Sequence, residues 1–187
     1  MDRAETKSAL NILSLEDSIL DFEIIHEHLT RAGISINITH VAKEDEFISS
    51  LRNNKYDIIL ADFNLHSFDG FAALKLCNEI CPNTPFICIS GSIGEEIAIE
   101  LMKQGAVDYI LKDRLARLPS AIKRALDESK EKETRREAEE ALQKKMEELQ
   151  RFYDLTVGRE LKMIELKKEI NEFLKQMGKE EKYKIVE

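Results

Sequence analysis

The stretch Tyr56-Asp57-Ile58-Ile59-Leu60-Ala61-Asp62 decides the fold. Its four consecutive apolar residues between polar ones suit a strand buried on both faces, the pattern of a parallel sheet covered by helices. The run ends on a carboxylate, Asp62, and three other stretches repeat its form. Ile12-Leu13-Ser14-Leu15 runs into the acids Glu16 and Asp17, Phe86-Ile87-Cys88-Ile89 into the hydroxyl of Ser90, and Asp108-Tyr109-Ile110-Leu111 into the ammonium of Lys112. In open parallel α/β sheets the carboxyl ends of the strands border one crevice, and ligands bind there.

Outward from this core the chain alternates strand-like and helix-like segments. Strands are predicted over 11–15, 35–41, 57–61, 85–89 and 107–111. Helices are predicted over 19–31, 43–53, 70–80 and 95–104, with a fifth starting near Arg114. Strict βα alternation implies a parallel sheet with helices on both faces. Gly33 and Gly105 follow the first and fourth helices, where a left-handed capping residue is wanted. Pro82 and Pro85 separate the third helix from the fourth strand, since proline cannot continue a helix.

The whole chain has 187 residues, enough for one ordinary domain plus an extension, and its net charge of −8 lends no support to nucleic-acid binding. No apolar run approaches the ~20 residues that span a bilayer. Residues 1–5 lack the basic-then-apolar pattern of a secretory signal, so a cytoplasmic location is expected. Cys77, Cys81 and Cys88 form no even disulfide framework and no zinc set, and are expected as reduced thiols in or near the core.

Three carboxylates, a hydroxyl and a lysine in one crevice make a site for a divalent cation and a phosphoryl group. A carboxylate can attack phosphorus and form an aspartyl-phosphate. Attack of one anion on another is electrostatically unfavourable, so Mg²⁺ must bridge the oxygens, held by one or two carboxylates with phosphate and water. Asp17 and Asp62 fit as direct ligands, with Glu16 reaching the ion through water and the main-chain carbonyl of Asn64 adding an oxygen. Lys112 and Ser90 would supply donors to the remaining phosphoryl oxygens.

Residues 10–126 resemble the receiver domain of two-component response regulators. Glu16-Asp17 is similar to the family's metal-binding pair, Asp62 to its phosphoacceptor, and Asp69-Gly70 to the Asp-Gly after the acceptor loop. Ser90 stands at the Ser/Thr switch position, Tyr109 at the aromatic switch, and Lys112 at the family's lysine. Gly105-Ala106-Val107-Asp108-Tyr109 is similar to its approach to that lysine. The resemblance implies a doubly wound, five-stranded α/β fold of order 2-1-3-4-5, flavodoxin-like. It further implies a histidine kinase or phosphotransfer protein as donor, with autophosphorylation and autodephosphorylation but no enzymatic turnover. Asp113 and His66 stand where the family usually has proline, and Gly91 where it has a small residue such as alanine; His66 in particular would leave its loop freer.

After residue 126 the pattern changes. Residues 127–140 are nearly all charged, and then Leu142, Leu149, Thr156, Met163, Ile170 and Met177 recur every seven residues, with Phe152, Leu166 and Phe173 three positions on. Such a repeat argues a long helix that forms a coiled coil, with homodimerisation as the natural outcome. Gly158 is either a hinge or a tolerated glycine, and Gly178 reads as a terminating cap. The expected domains are therefore a phosphoacceptor receiver over 8–126, a charged linker and coiled coil over 127–178, and a tail over 179–187.

All four histidines, His26, His28, His40 and His66, precede residue 67, so the carboxyl-terminal helix is not the phosphorylated helix of a histidine kinase. A non-phosphorylated, receiver-shaped dimerising adaptor is the alternative. A phosphoester hydrolase is a third reading, weakened by the lack of a second general acid or a substrate cap. The chain is either complete as receiver plus coiled coil or part of something longer.

Overall fold

A computed structural model describes residues 9–66, 68–92 and 94–184. Residues 1–5, read for a leader, and the outermost positions of the expected first domain and tail, 8 and 185–187, lie outside the described residues. The elements are β1 (Leu10–Leu15), α1 (Ile19–Arg31), β2 (Ile36–Val41), α2 (Glu44–Asn53), β3 (Ile58–Asp62), α3 (Gly70–Ile80), β4 (Phe86–Ser90), α4 (Glu95–Lys103), β5 (Asp108–Leu111) and α5 (Leu118–Gln176). The strands form one parallel sheet of order β2-β1-β3-β4-β5, the order expected.

Alternation along β3 explains why the sheet is covered on both faces. Ile59 and Ala61 join Phe47, Leu51, Leu74, Cys77 and Leu101 in one core beneath α2, α3 and α4. Ile58 and Leu60 point the other way, into a core with Ile25, Leu29, Leu118 and Ile122 from α1 and α5. Both cores are fully apolar at their centres, and burial of such side chains is worth roughly 1.5–3 kcal/mol each. Cys77 and Cys88 are buried in the first core, and all three cysteines are unpaired, as expected.

The fifth helix departs from expectation. Residues Lys112–Arg117 form a 3-10 turn, broken at Arg114, and the α-helix begins only at Leu118. Pro119 is the reason. In a helix starting at Arg114 its nitrogen would face the Leu115 carbonyl with no hydrogen to donate; in the first turn that hydrogen is not needed.

Two compact units divide the chain, Met1–Glu133 and Thr134–Glu187. Within the second, α5 runs through Gly158 without interruption, so the helix tolerates that glycine. Leu142, Leu149, Phe152, Met163, Leu166, Phe173 and Met177 are all exposed along it. The helix ends as expected at Gly178, whose φ of +70° lets Lys179 N–H reach the Leu174 carbonyl and Gly178 N–H the Lys175 carbonyl. The following segment returns to the helix, where buried Asn171 accepts from the N–H groups of Lys182 and Tyr183 and donates to the Tyr183 carbonyl.

Gly105 closes α4 in the same way at φ +111°. Gly105→Ala is therefore expected to cost ~1–3 kcal/mol of backbone strain in urea unfolding. Gly158→Ala, with open space around it, is expected to stabilise the helix by about 1 kcal/mol in a thermal melt followed by circular dichroism.

Candidate functional site

Strand register assembles the crevice. Leu15 pairs with Ala61, so Glu16 and Asp62 follow as neighbours at the ends of β1 and β3. Asp62 lies beside Ile89, and Ser90 beside Leu111, so Lys112 emerges one step further on. Glu16 is 1% exposed and Asp62 6%. Carboxylate oxygens of Glu16, Asp17 and Asp62 lie within 4.8 Å of one another.

Lys112 holds this group of acids together. Its Nζ is 2.7 Å from Asp62 Oδ2, 2.9 Å from Glu16 Oε2 and 2.5 Å from Asp21 Oδ2. Burial by itself would favour the neutral amine, but the carboxylates of Asp21 and Asp62, which accept hydrogen bonds from it, and the ion pair with Glu16 outweigh burial and hold the ammonium well above its ordinary pKa. Glu16 moves upward: burial raises it most and the charge of Asp62 adds, while Lys112 and the Ser18 N–H oppose. Although Glu16 Oε2 has the ammonium close by, no donor among the described residues is aligned on it as a hydrogen bond. An ion pair is less demanding of direction than a hydrogen bond, so that oxygen is electrostatically accompanied yet unsaturated.

Asp17 is tied from the loop after β3. The His66 N–H donates to Asp17 Oδ2 at 3.0 Å, and the His66 ring Nδ1 contacts the same oxygen. Burial tends to raise the Asp17 pKa, but the His66 hydrogen bonds and charge prevail and lower it; Asp17 in turn raises that of the exposed imidazole. The expectation of a freer loop at His66 is thus corrected. Proline at this position would have no N–H for the bond that fastens the loop to Asp17.

The same loop is closed by a bridge between Asn64 and Asp69. Asp69 caps α3 by accepting from Ala72 N–H, and a Cβ on Gly70 would stand 2.7 Å from the Phe63 ring. Asn64 N–H donates to Asp62 Oδ1 at 3.1 Å, and its Nδ2 donates to Ser90 Oγ at 3.3 Å. Ser90 Oγ itself donates to the Ser92 carbonyl. Ser90 therefore joins the cluster through Asn64. Tyr109 is 37% exposed on β5, where its N–H donates to Asp108 Oδ1.

Sequence reasoning missed two residues. His40, stacked on Phe22, places Nε2 2.7 Å from the Glu16 carbonyl oxygen and so steadies the main chain at that acid. Asp21 is the other. Ser18-Ile19-Leu20-Asp21 has the spacing of a capping box, a signal that would have set Asp21 on the first turn of α1, next to the acids that end β1.

The chemistry of the donor set fits a hard divalent cation. Glu16, Asp21 and Asp62 share one lysine, Glu16, Asp17 and Asp62 bring carboxylate oxygens within 4.8 Å of one another, and buried Glu16 Oε2 is unsaturated.

Comparison with known proteins agrees with this fold. The response regulator receiver domain matches residues 12–123. The transcriptional regulatory protein ZraR of Salmonella typhimurium is 25% identical over 126 residues, which cover 67% of this chain and 28% of that protein. A response regulator receiver domain protein from Methanospirillum hungatei superposes with a TM-score of 0.60 at 23% identity, covering 67% of this chain and 99% of the other. The phosphorylated cyanobacterial phytochrome response regulator RcpA superposes at 0.54 with 25% identity, covering 62% and 90%. The chain thus spans little more than a quarter of the length of ZraR.

Removing one partner of a buried charge cluster leaves the others uncompensated. Lys112→Ala is expected to destabilise the metal-free protein by ~2–4 kcal/mol in urea unfolding, and added Mg²⁺ is expected to recover part of the loss.

Proposed function

The chain belongs to the response regulator receiver family, and from that premise we propose that Asp62 accepts a phosphoryl group in a Mg²⁺-dependent reaction. One observation carries the reading: the ammonium of Lys112 sits 2.7 Å from Asp62 in a crevice whose other walls are Glu16 and Asp17. A carboxylate oxygen of Asp62 forms the bond to phosphorus as the bond to the donor breaks, the donor being a phosphohistidine of a kinase or phosphotransfer protein. Asp17, Asp62 and the Asn64 carbonyl would hold the ion, with Glu16 acting through water. The ion supplies neutralisation of the charge that gathers on the phosphoryl oxygens. Lys112 donates to one of those oxygens and Ser90 to another.

Once Asp62 is phosphorylated, Ser90 and Tyr109 shift toward it, and the change passes to the fifth helix. The protein acts as a phosphoacceptor signalling protein of the cytoplasm rather than as an enzyme with turnover, with no nucleic acid or membrane as partner. Among the described residues no helix is long and apolar enough to cross a membrane. Its organisation is a receiver over 8–126, a linker and coiled coil over 127–178 and a tail over 179–187. The exposed heptad residues of α5 support a homodimer formed through that helix.

The contact of His66 with Asp17 favours a second reading, a receiver-shaped adaptor that takes no phosphate, because it engages a carboxylate the ion would need.

Acetyl phosphate with Mg²⁺ is expected to add one phosphoryl group to the full chain by intact-mass spectrometry, and chelation or Asp62→Asn to abolish it. Equal labelling of Asp62→Asn would assign the acceptor elsewhere. No labelling, with no Mg²⁺ or beryllofluoride binding in calorimetry, would establish the adaptor. For the dimer, light scattering is expected to give twice the chain mass, and Leu166→Glu with Ile170→Glu to reduce it to one.

A further inference from the structure

Asp21 is not required to make an aspartyl-phosphate, yet it makes the shortest of the Lys112 contacts, 2.5 Å against 2.7 Å for Asp62 and 2.9 Å for Glu16. Its position is set independently of the lysine. The Asp21 N–H donates to Ser18 Oγ at 3.3 Å, which fastens Asp21 to the first turn of α1. In a capping box the third residue's carboxylate would turn back to the N–H of the cap. Here the Ser18 N–H donates to Glu16 Oε1 at 3.1 Å instead. Glu16 has taken the place of Asp21 at the cap, and the Asp21 carboxylate is given to Lys112.

That exchange matters because Lys112 competes with any cation for Glu16 and Asp62. An ion entering among Glu16, Asp17 and Asp62 repels the ammonium, and the cluster would resist either by keeping the lysine or by expelling it. Asp21 is not one of the three mutually close acids, so it offers the ammonium an anion the ion does not claim. We propose that Asp21 is a positioning residue: it anchors Lys112 against the first turn of α1, so that a divalent cation can displace the ammonium from Glu16 and Asp62 without driving it out of the crevice. The consequence for chemistry rests on the phosphoacceptor reading, since only then does the retained ammonium have a phosphoryl oxygen to meet. The cation exchange itself does not.

The test is a double-mutant cycle on the full chain, with Mg²⁺ binding measured by titration calorimetry for the wild type, Asp21→Asn, Lys112→Ala and the pair. If Asp21 acts only as a distant negative charge, Asp21→Asn weakens Mg²⁺ binding equally with and without Lys112. If Asp21 acts through Lys112, Asp21→Asn weakens it at least about threefold more when the lysine is present, the coupling typical of contacting residues. Asp21→Glu, which keeps the charge on a longer arm, is expected to restore wild-type affinity. Equal effects in both backgrounds, or no loss in Asp21→Asn, would overturn the anchor. Should Lys112→Ala fail to fold, Asp21→Glu decides: failure of that variant to recover the affinity lost in Asp21→Asn overturns it. Acetyl phosphate labelling of the wild type separates the two readings. A coupled cycle in a chain that takes no phosphoryl group would remove the acceptor and leave the anchor standing.

Discussion

A single ammonium among carboxylates organises the crevice. Lys112 comes from the end of β5, Asp62 from β3, Glu16 from just past β1 and Asp21 from the first turn of α1, and one Nζ lies within 3 Å of all three acids. Taken from water one at a time, the buried carboxylates of Glu16 and Asp62 would each carry a desolvation cost of several kcal/mol. Together they are tolerable because each charge meets an opposite one. The balance is incomplete, since three acids share one lysine, and the residual negative charge suits a divalent cation.

Such a cluster does not hold a fold together; it is held by one. Buried ion pairs rarely exceed the stabilisation of apolar residues in their place. The support comes from the two apolar layers on either side of β3, which fix the strand ends to within the tolerance a charge cluster demands. Closing elements then trim the rim: Asp69 caps α3, Gly70 allows the helix to start against Phe63, and His66 fastens the loop to Asp17. The second unit follows a different logic. Its helix leaves large apolar side chains exposed along one repeat, while Asn171 satisfies three backbone groups of the returning tail.

Strand and helix placement was legible in the chain because burial on both sheet faces leaves unbroken apolar runs, and capping residues mark helix ends. Boundaries moved by a residue or so, except at the fifth helix, where the apolar stripe from Leu115 onward concealed the veto of Pro119. The position of Ser90 was anticipated, but not that Asn64 stands between it and Asp62. His66 was read as a replacement that loosens a loop, whereas its N–H is what ties the loop down.

Local pattern alone determined that four strands would deliver Glu16, Asp17, Asp62, Ser90 and Lys112 to one edge of a parallel sheet, since strand ends follow from periodicity and handedness. Which carboxylate the lysine would prefer was settled only by the folded chain. The choice between Glu16 and Asp21 for the Ser18 N–H depends on the packing of α1 against the sheet, and distances of a few tenths of an ångström decide it. Those distances are set by side chains far apart in the sequence, as Asp21 and Lys112 are, and so no local pattern records them.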